Sequence, residues 1–265
     1  MSSTINMNQI VGHHNIVFIV LDSLRYDVAQ EEFKKGNLVN FSKYLPSSGW
    51  EKRYTPGSFT YPAHKAFFAG FLPTKIEEKI TPRLFASEFL GSESTTKDTF
   101  VFEENDWITA LRNRDYFSLC IGGVGFFNKK TNISREFTDL FEESYWSEEV
   151  GVTHKDSTEN QFIFAKQRLE EVSDKFCLYI NVSAIHQPNY FYEREERRDD
   201  LMSHAASLRY VDEQLPILMN ALEQKGNCLC IICSDHGSSY GDNGQWGHRN
   251  GDSSVMEVPY IHFNL

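Results

Sequence analysis

The sequence predicts a doubly wound α/β domain, a mainly parallel sheet with helices on both faces. Three observations carry that expectation. The apolar run at 16–21 is continuous rather than alternating, as in a strand buried on both faces, and 116–121, 176–182 and 228–233 are further strand-like runs rich in apolar residues. Stretches of helical periodicity and long connections separate them, which suits crossovers rather than hairpins. Residues suited to metal or phosphate chemistry follow the C-terminal ends of these runs, the edge where open α/β sheets bind ligands.

The 265 residues suffice for a single domain, 1–265, with a sizeable core. A net charge of −11 disfavours non-specific binding to nucleic acid or anionic membrane. No apolar run approaches the roughly 20 residues of a membrane span, and residues 1–9 lack the basic-then-apolar pattern of a secretory signal. Cys120, Cys177, Cys228, Cys230 and Cys233 are odd in number and sit mostly in strand-like runs. They are expected to be buried thiols in a reducing, cytoplasmic setting. On a strand Cys228 and Cys230 face one way and Cys233 the other, which argues against a thiol metal cluster.

Taken in order, the first run ends at Asp22, either a ligand at a strand end or a cap for the next helix. A helix is expected at 28–35, then a surface segment to 54. Pro62 suits a first helical turn continued by 63–69, leaving Thr60 just before the N-terminus, where N–H groups and the dipole favour an anion. Thr60 is there either a nucleophile activated by a metal or a plain cap. His64 lies about one turn on. Residues 74–106 read as loops with a short element, and 106–114 as a helix. The Gly122-Gly-Val-Gly125 stretch lacks the full dinucleotide spacing. Residues 126–155 are irregular, aromatic and acidic, a possible lid or specificity insertion.

A helix at 159–172 leads to the run 176–182, after which comes His186. The charged run 193–200 reads as a solvated loop. A long amphipathic helix follows at 201–223, kinked or divided by Pro216. The last core run ends in Asp235-His236-Gly237, a hard oxygen and a neutral nitrogen followed by a residue that permits close backbone approach. Residues 238–251 form a polar loop with His248, and 258–263 another strand. Phe126, Phe127, Tyr145, Trp146, Tyr190 and Tyr192 either line a specificity pocket or serve packing.

Asp22, Thr60, His186, Asp235-His236 and His248 thus all fall at or near one edge of a parallel sheet. Their order resembles the alkaline phosphatase, sulfatase and nucleotide pyrophosphatase superfamily, across about residues 14–263. Ile-Val-Leu-Asp22-Ser-Leu-Arg-Tyr-Asp is similar to its first metal motif, and Thr60-Tyr-Pro-Ala-His to its nucleophile motif. His186-Gln-Pro is similar to its middle His motif, and Ser-Asp235-His236-Gly with Gly-His248 to its final motifs. Within it, the chain looks most like a compact bacterial group of sulfatase-like hydrolases. The resemblance implies an alkaline phosphatase-like core, and the larger C-terminal subdomain of many sulfatases is expected to be absent.

Two departures refine this. Typical sulfatases carry Cys or Ser for conversion to formylglycine, with Arg four residues on; here stand Thr60 and His64. Two-metal phosphodiesterases place Asp four residues before the middle His; here stands Val182. The resemblance therefore implies a metal-dependent phosphoester hydrolase or transferase acting on phosphodiesters or phosphonate-type monoesters. Asp22, Thr60, Asp235 and His236 would hold one divalent ion (Zn, Mn or Mg), with two ions possible. Thr60 would be the nucleophile, and His186 and His248 would bind phosphoryl oxygens or protonate the leaving group. Arg25, His64 and Asn181 are further substrate-pocket candidates. Alternatives are a two-metal phosphodiesterase, pyrophosphatase or phosphomutase, a sulfatase-like hydrolase without formylglycine, and a non-catalytic metal-binding module.

Overall fold

The computed structural model describes residues 5–76, 82–89, 95–193 and 198–265. Its main sheet contains β1 (Asn15–Leu21), β2 (Glu51–Tyr54), β3 (Phe117–Ile121), β4 (Glu143–Tyr145), β5 (Phe176–Val182), β6 (Cys228–Cys233) and β7 (Glu257–Asn264). The principal helices are α1 (Tyr26–Lys34), α2 (Thr60–Phe68), α3 (Trp107–Arg112), α4 (Ser157–Glu171) and α5 (Leu201–Lys225). The strand order is β2-β7-β6-β1-β5-β3-β4. Strands β6, β1, β5, β3 and β4 pair in parallel, and β7 runs antiparallel to both β6 and β2.

The continuous apolar runs are explained by two cores. Val17, Ile19 and Leu21 of β1 pack with Ala29 of α1, Phe162 of α4 and Val211 of α5. Their neighbours Ile16, Phe18 and Val20 turn to the opposite face, with Phe67 of α2 and Trp107 of α3. Helices therefore cover both faces. Cys228 and Cys230 join the first core and Cys233 the second, and all five cysteines are buried and unpaired.

Several expectations change. After the expected helix, the 36–54 stretch is no mere surface segment: its Leu38, Phe41, Leu45 and Trp50 are buried, and β2 closes it. β2 (Glu-Lys-Arg-Tyr) and β4 (Glu-Ser-Tyr) are edge strands too polar to announce themselves by hydropathy. Residues 126–155 supply β4 and bury Phe127, Phe137 and Phe141 in the second core. Helix α5 runs unbroken through Pro216, because Val211, Leu215, Leu218, Met219 and Leu222 are buried along it; that burial outweighs the roughly 3 kcal/mol an internal proline costs. Within 74–106, Phe85–Ser87 pairs in parallel with Phe100–Phe102, while 77–81 and 90–94 lie outside the described residues. Of the charged run 193–200, residues 194–197 also lie outside them, and Asp200 caps α5.

Candidate active site

Register builds the centre of the site. Val20 of β1 stands level with Cys233 of β6 on one side and Asn181 of β5 on the other. Two residues beyond Val20 and Cys233 are Asp22 and Asp235, which leave adjacent parallel strands at one height. Both are fully buried. Ser23 adopts φ 68°, a left-handed conformation costing a non-glycine residue about 1 kcal/mol or more. It connects the two carboxylates: its N–H donates to Asp235 Oδ1 at 3.1 Å and its hydroxyl to Asp22 Oδ1 at 2.9 Å. Asn181 Nδ2 donates to Asp22 Oδ2 at 2.9 Å, and the His236 N–H to Asp235 Oδ1 at 3.0 Å.

His236 completes the cluster. Its Nδ1–H donates to the Gly237 carbonyl at 2.8 Å, which leaves Nε2 as a bare lone pair. Gly237 is required here, since a Cβ would lie 1.9 Å from the Ser254 carbonyl oxygen. Ligand atoms of Asp22, Asp235 and His236 all lie within 4.8 Å of one another, the one such group of three among the described residues.

The electrostatics call for a cation. Asp235 Oδ2 is buried without a hydrogen-bond donor, 3.5 Å from His236 Nε2 and 3.7 Å from His64 Nδ1. Burial and the adjoining Asp22 push its carboxyl well above the ordinary carboxylate range. At Asp22 burial acts upward too, but His186, His236 and Asn181 outweigh it and hold that carboxyl low. Burial depresses His236 to about 4, so its imidazole is neutral and able to ligate. An orphaned carboxylate oxygen facing a bare imidazole nitrogen fits a divalent ion of the Zn, Mn or Mg type.

Thr60 is the first residue of α2 rather than the one before it; Phe59 occupies the cap position. Its hydroxyl is 3.3 Å from His236 Nε2. His64, one turn on, is wholly buried under Thr60. Its Nδ1–H donates to the Thr60 carbonyl at 2.7 Å, and its Nε2 accepts from the Tyr179 hydroxyl. Phe67, Phe68, Phe127 and Phe137 surround the ring, and burial lowers its pKa to about 4.

His186 and His248 approach from two loops. The His248 ring centroid is 4.7 Å from that of His236 and 6.1 Å from that of His186. His186 Nδ1–H donates to the Gln187 carbonyl, so Nε2 is available to the site. Arg25 and Asn181 lie behind this centre. Arg25 is buried and committed to Asp27 and Asp242, at 2.6 and 2.8 Å. Asn181, besides donating to Asp22, accepts at Oδ1 from the Val124 N–H at 3.0 Å.

Sequence reasoning passed over Ser23, Tyr179, His204 and Tyr240. Ser23 sits inside a quoted motif and was legible in principle as the residue between strand end and helix; the other three are recognised only by tertiary contact. Among the aromatic candidates, Phe127 is core, Tyr145 stacks on Phe164 and Tyr192 on Tyr210.

The family model for sulfatases matches residues 14–263. The chain belongs to the sulfatase family. Membership makes it a metal-dependent enzyme of ester hydrolysis or transfer, in keeping with the Asp22–Asp235–His236 cluster. No curated protein sequence matches it. Among solved structures, this sulfatase-family chain is similar to the C-terminal periplasmic domain of phosphoethanolamine transferase EptC from Campylobacter jejuni. The identity is 16%, the TM-score 0.60, and the match covers 96% of this chain and 82% of that one. The corresponding Escherichia coli EptC domain, in complex with Zn, gives 12% identity, TM-score 0.61, and 94% and 72% coverage. The soluble domain of lipooligosaccharide phosphoethanolamine transferase A from Neisseria meningitidis gives 12%, 0.58, and 96% and 77%. At these identities the likeness establishes the alkaline phosphatase-like fold. No helix among the described residues is long and apolar enough to cross a membrane.

Proposed function

We propose that this chain hydrolyses or transfers phosphoesters, namely phosphodiesters or phosphonate-type monoesters, with Thr60 as nucleophile. The observation that carries the reading is the Thr60 hydroxyl at the helix N-terminus, 3.3 Å from the bare nitrogen of His236 in the acidic cluster. A divalent ion held by Asp22, Asp235, His236 and Thr60 would lower the hydroxyl pKa and offset charge on a non-bridging phosphoryl oxygen. The rest falls to the chain. The first-turn N–H groups of α2 favour the phosphoryl oxygens. Thr60 gives up its hydroxyl proton to solvent, its Oγ1 attacks phosphorus, the P–O bond to the leaving group breaks, and a phospho-threonine forms. His186 Nε2 can carry a proton to the departing oxygen, and His248 can donate to a phosphoryl oxygen. Water or an acceptor alcohol then takes the phosphoryl group and frees Thr60.

A single ion is favoured because Val182 is apolar and buried where two-metal enzymes of this superfamily carry Asp. Sulfate esters remain a second substrate class through the family match, but Thr60 lacks the chemistry to become formylglycine. Phosphoethanolamine transferases among the similar structures support transfer beside hydrolysis. A specificity role for 126–155 is supported by Phe126, whose ring centroid lies 5.5 Å from that of Tyr61, the neighbour of Thr60. His64 and Asn181 act on this reading as positioning residues, holding Thr60 and Asp22. The five buried thiols support a cytoplasmic location, although the EptC domains are periplasmic.

The test is Thr60→Ala assayed on bis(4-nitrophenyl) phosphate and 4-nitrophenyl phenylphosphonate. Turnover is expected to vanish while elemental analysis still finds most of the metal. Turnover equal to that of the parent would remove Thr60 from the chemistry.

A further inference from the structure

We infer that Arg249, with Phe59 beneath it, forms a subsite for a second anionic group on the substrate, beyond the scissile phosphoryl group. The inference rests on the Thr60 centre being an anion site and specifies what its substrate carries. Arg249 follows His248 in sequence, and its backbone has φ 72°, a left-handed conformation that a non-glycine residue adopts at a cost. Its N–H donates to the Ser58 carbonyl at 2.9 Å, fastening the His248 loop to the segment that leads into Thr60. The guanidinium carbon lies 4.9 Å from the centroid of the Phe59 ring. Phe59 is the residue before Thr60, so one rigid backbone step separates this stack from the nucleophile.

Three features make the guanidinium a receptor rather than a structural tie. It makes no ion pair among the described residues, in a chain of net charge −11. Stacking on Phe59 orients the planar fork while leaving its N–H edge open to a carboxylate or phosphate. Depth grades outward, from buried Thr60 through half-buried His248 to exposed Arg249. The group that meets Arg249 therefore lies on the solvent side of the phosphoryl position, on the substrate's organic portion. The geometry points to a phosphoester or phosphonate whose substituent bears a carboxylate or further phosphate.

The test is calorimetric titration of the metal-loaded protein with 3-phosphonopropionate and with its uncharged amide, 3-phosphonopropionamide. The carboxylate form is expected to bind about tenfold more tightly or better, the scale of one charge-assisted fork. Arg249→Gln keeps the stack and removes the charge, and should bring the ratio of the two dissociation constants close to one. Arg249→Lys should retain part of the preference, since charge survives without the fork. A parent ratio near one, a ratio unchanged in Arg249→Gln, or binding of neither ligand overturns the inference. An enzyme that turns over bis(4-nitrophenyl) phosphate through Thr60 yet lacks the preference would sink the subsite alone and leave the proposed activity standing.

Discussion

Asp235 is a residue whose burial costs stability and whose charge the proposed ion would offset. Its Oδ1 accepts two backbone N–H groups, from Ser23 and His236, while Oδ2 has none. Because burial raises its pKa in the fold, the folded metal-free protein holds a proton that the unfolded chain releases. Stability therefore falls as pH rises from the ordinary Asp pKa through the raised folded value, and the full penalty applies above it. Asp235→Asn keeps the Oδ1 acceptor and deletes the charge. In metal-free protein at neutral pH it should raise Tm by about 2–4 °C, the shift that ~1 kcal/mol produces at this size, and flatten the pH dependence. Calorimetric unfolding at pH 5 and 8 checks both, and a lower Tm in the variant at pH 8 would contradict the assignment of strain to this carboxylate. The same variant should lose turnover. Asp235 and Asp22 were legible in the sequence because each interrupts an apolar run at its end. Tyr179 was not, because a tyrosine inside such a run reads as core until His64 is seen against its hydroxyl.

Between elements, the two loops that carry His186 and His248 are joined by the hydroxyl of half-buried Tyr240. Tyr240 belongs to the short ribbon Ser239–Tyr240 with Trp246–Gly247, which leads to His248. Its oxygen accepts from Asn189 Nδ2 at 3.2 Å, in the loop after β5. His204 of α5 stands 3.0 Å away through Nδ1, because its Nε2 accepts from the Arg25 N–H at 3.4 Å. Ser203 Oγ donates to Asn189 Oδ1 at 2.7 Å and completes the knot. Tyr240→Phe removes one oxygen and leaves a buried donor unsatisfied, a loss of about 1–3 kcal/mol. The variant should keep its full metal content, since Asp22, Asp235 and His236 are untouched, while kcat falls about tenfold through misplacement of His186 against His248. Elemental analysis beside steady-state kinetics decides the matter: parallel loss of metal and rate would assign Tyr240 to the cluster instead. None of this knot was legible, because its hydrogen bonds join residues 14, 36, 51 and 179 positions apart and none has a local pattern. The strands with apolar runs were legible to within a residue or two; the polar edge strands β2 and β4 were not, since only their partners make them strands.

For the whole molecule, the chain pattern announced the layered α/β architecture because burial on both faces leaves continuous apolar runs, and parallel strands then gather their polar ends at one edge. Direction was the exception: β7 carries a run like the others, yet it is antiparallel, and hydropathy is blind to strand direction. The gathered edge has a thermodynamic consequence. Residues 22, 60 and 235–236, brought from separate parts of the sequence, meet within one cluster and its nearest hydroxyl. An ion bound there binds only the folded chain, so it stabilises the whole domain by mass action, about 2.7 kcal/mol at a hundredfold excess over its dissociation constant. Stripping the metal with a chelator should lower Tm by about 5–10 °C. Resupplying Zn, Mn or Mg separately should restore it to the extent that each ion fits. In Asp235→Asn the chelator should move Tm hardly at all, and the variant should unfold above the stripped parent but below the loaded one. That order of three unfolding temperatures follows only if the same carboxylate is both the strained group of the empty cluster and a ligand of the filled one; a chelator shift of equal size in parent and variant would separate the two roles and place the ion elsewhere.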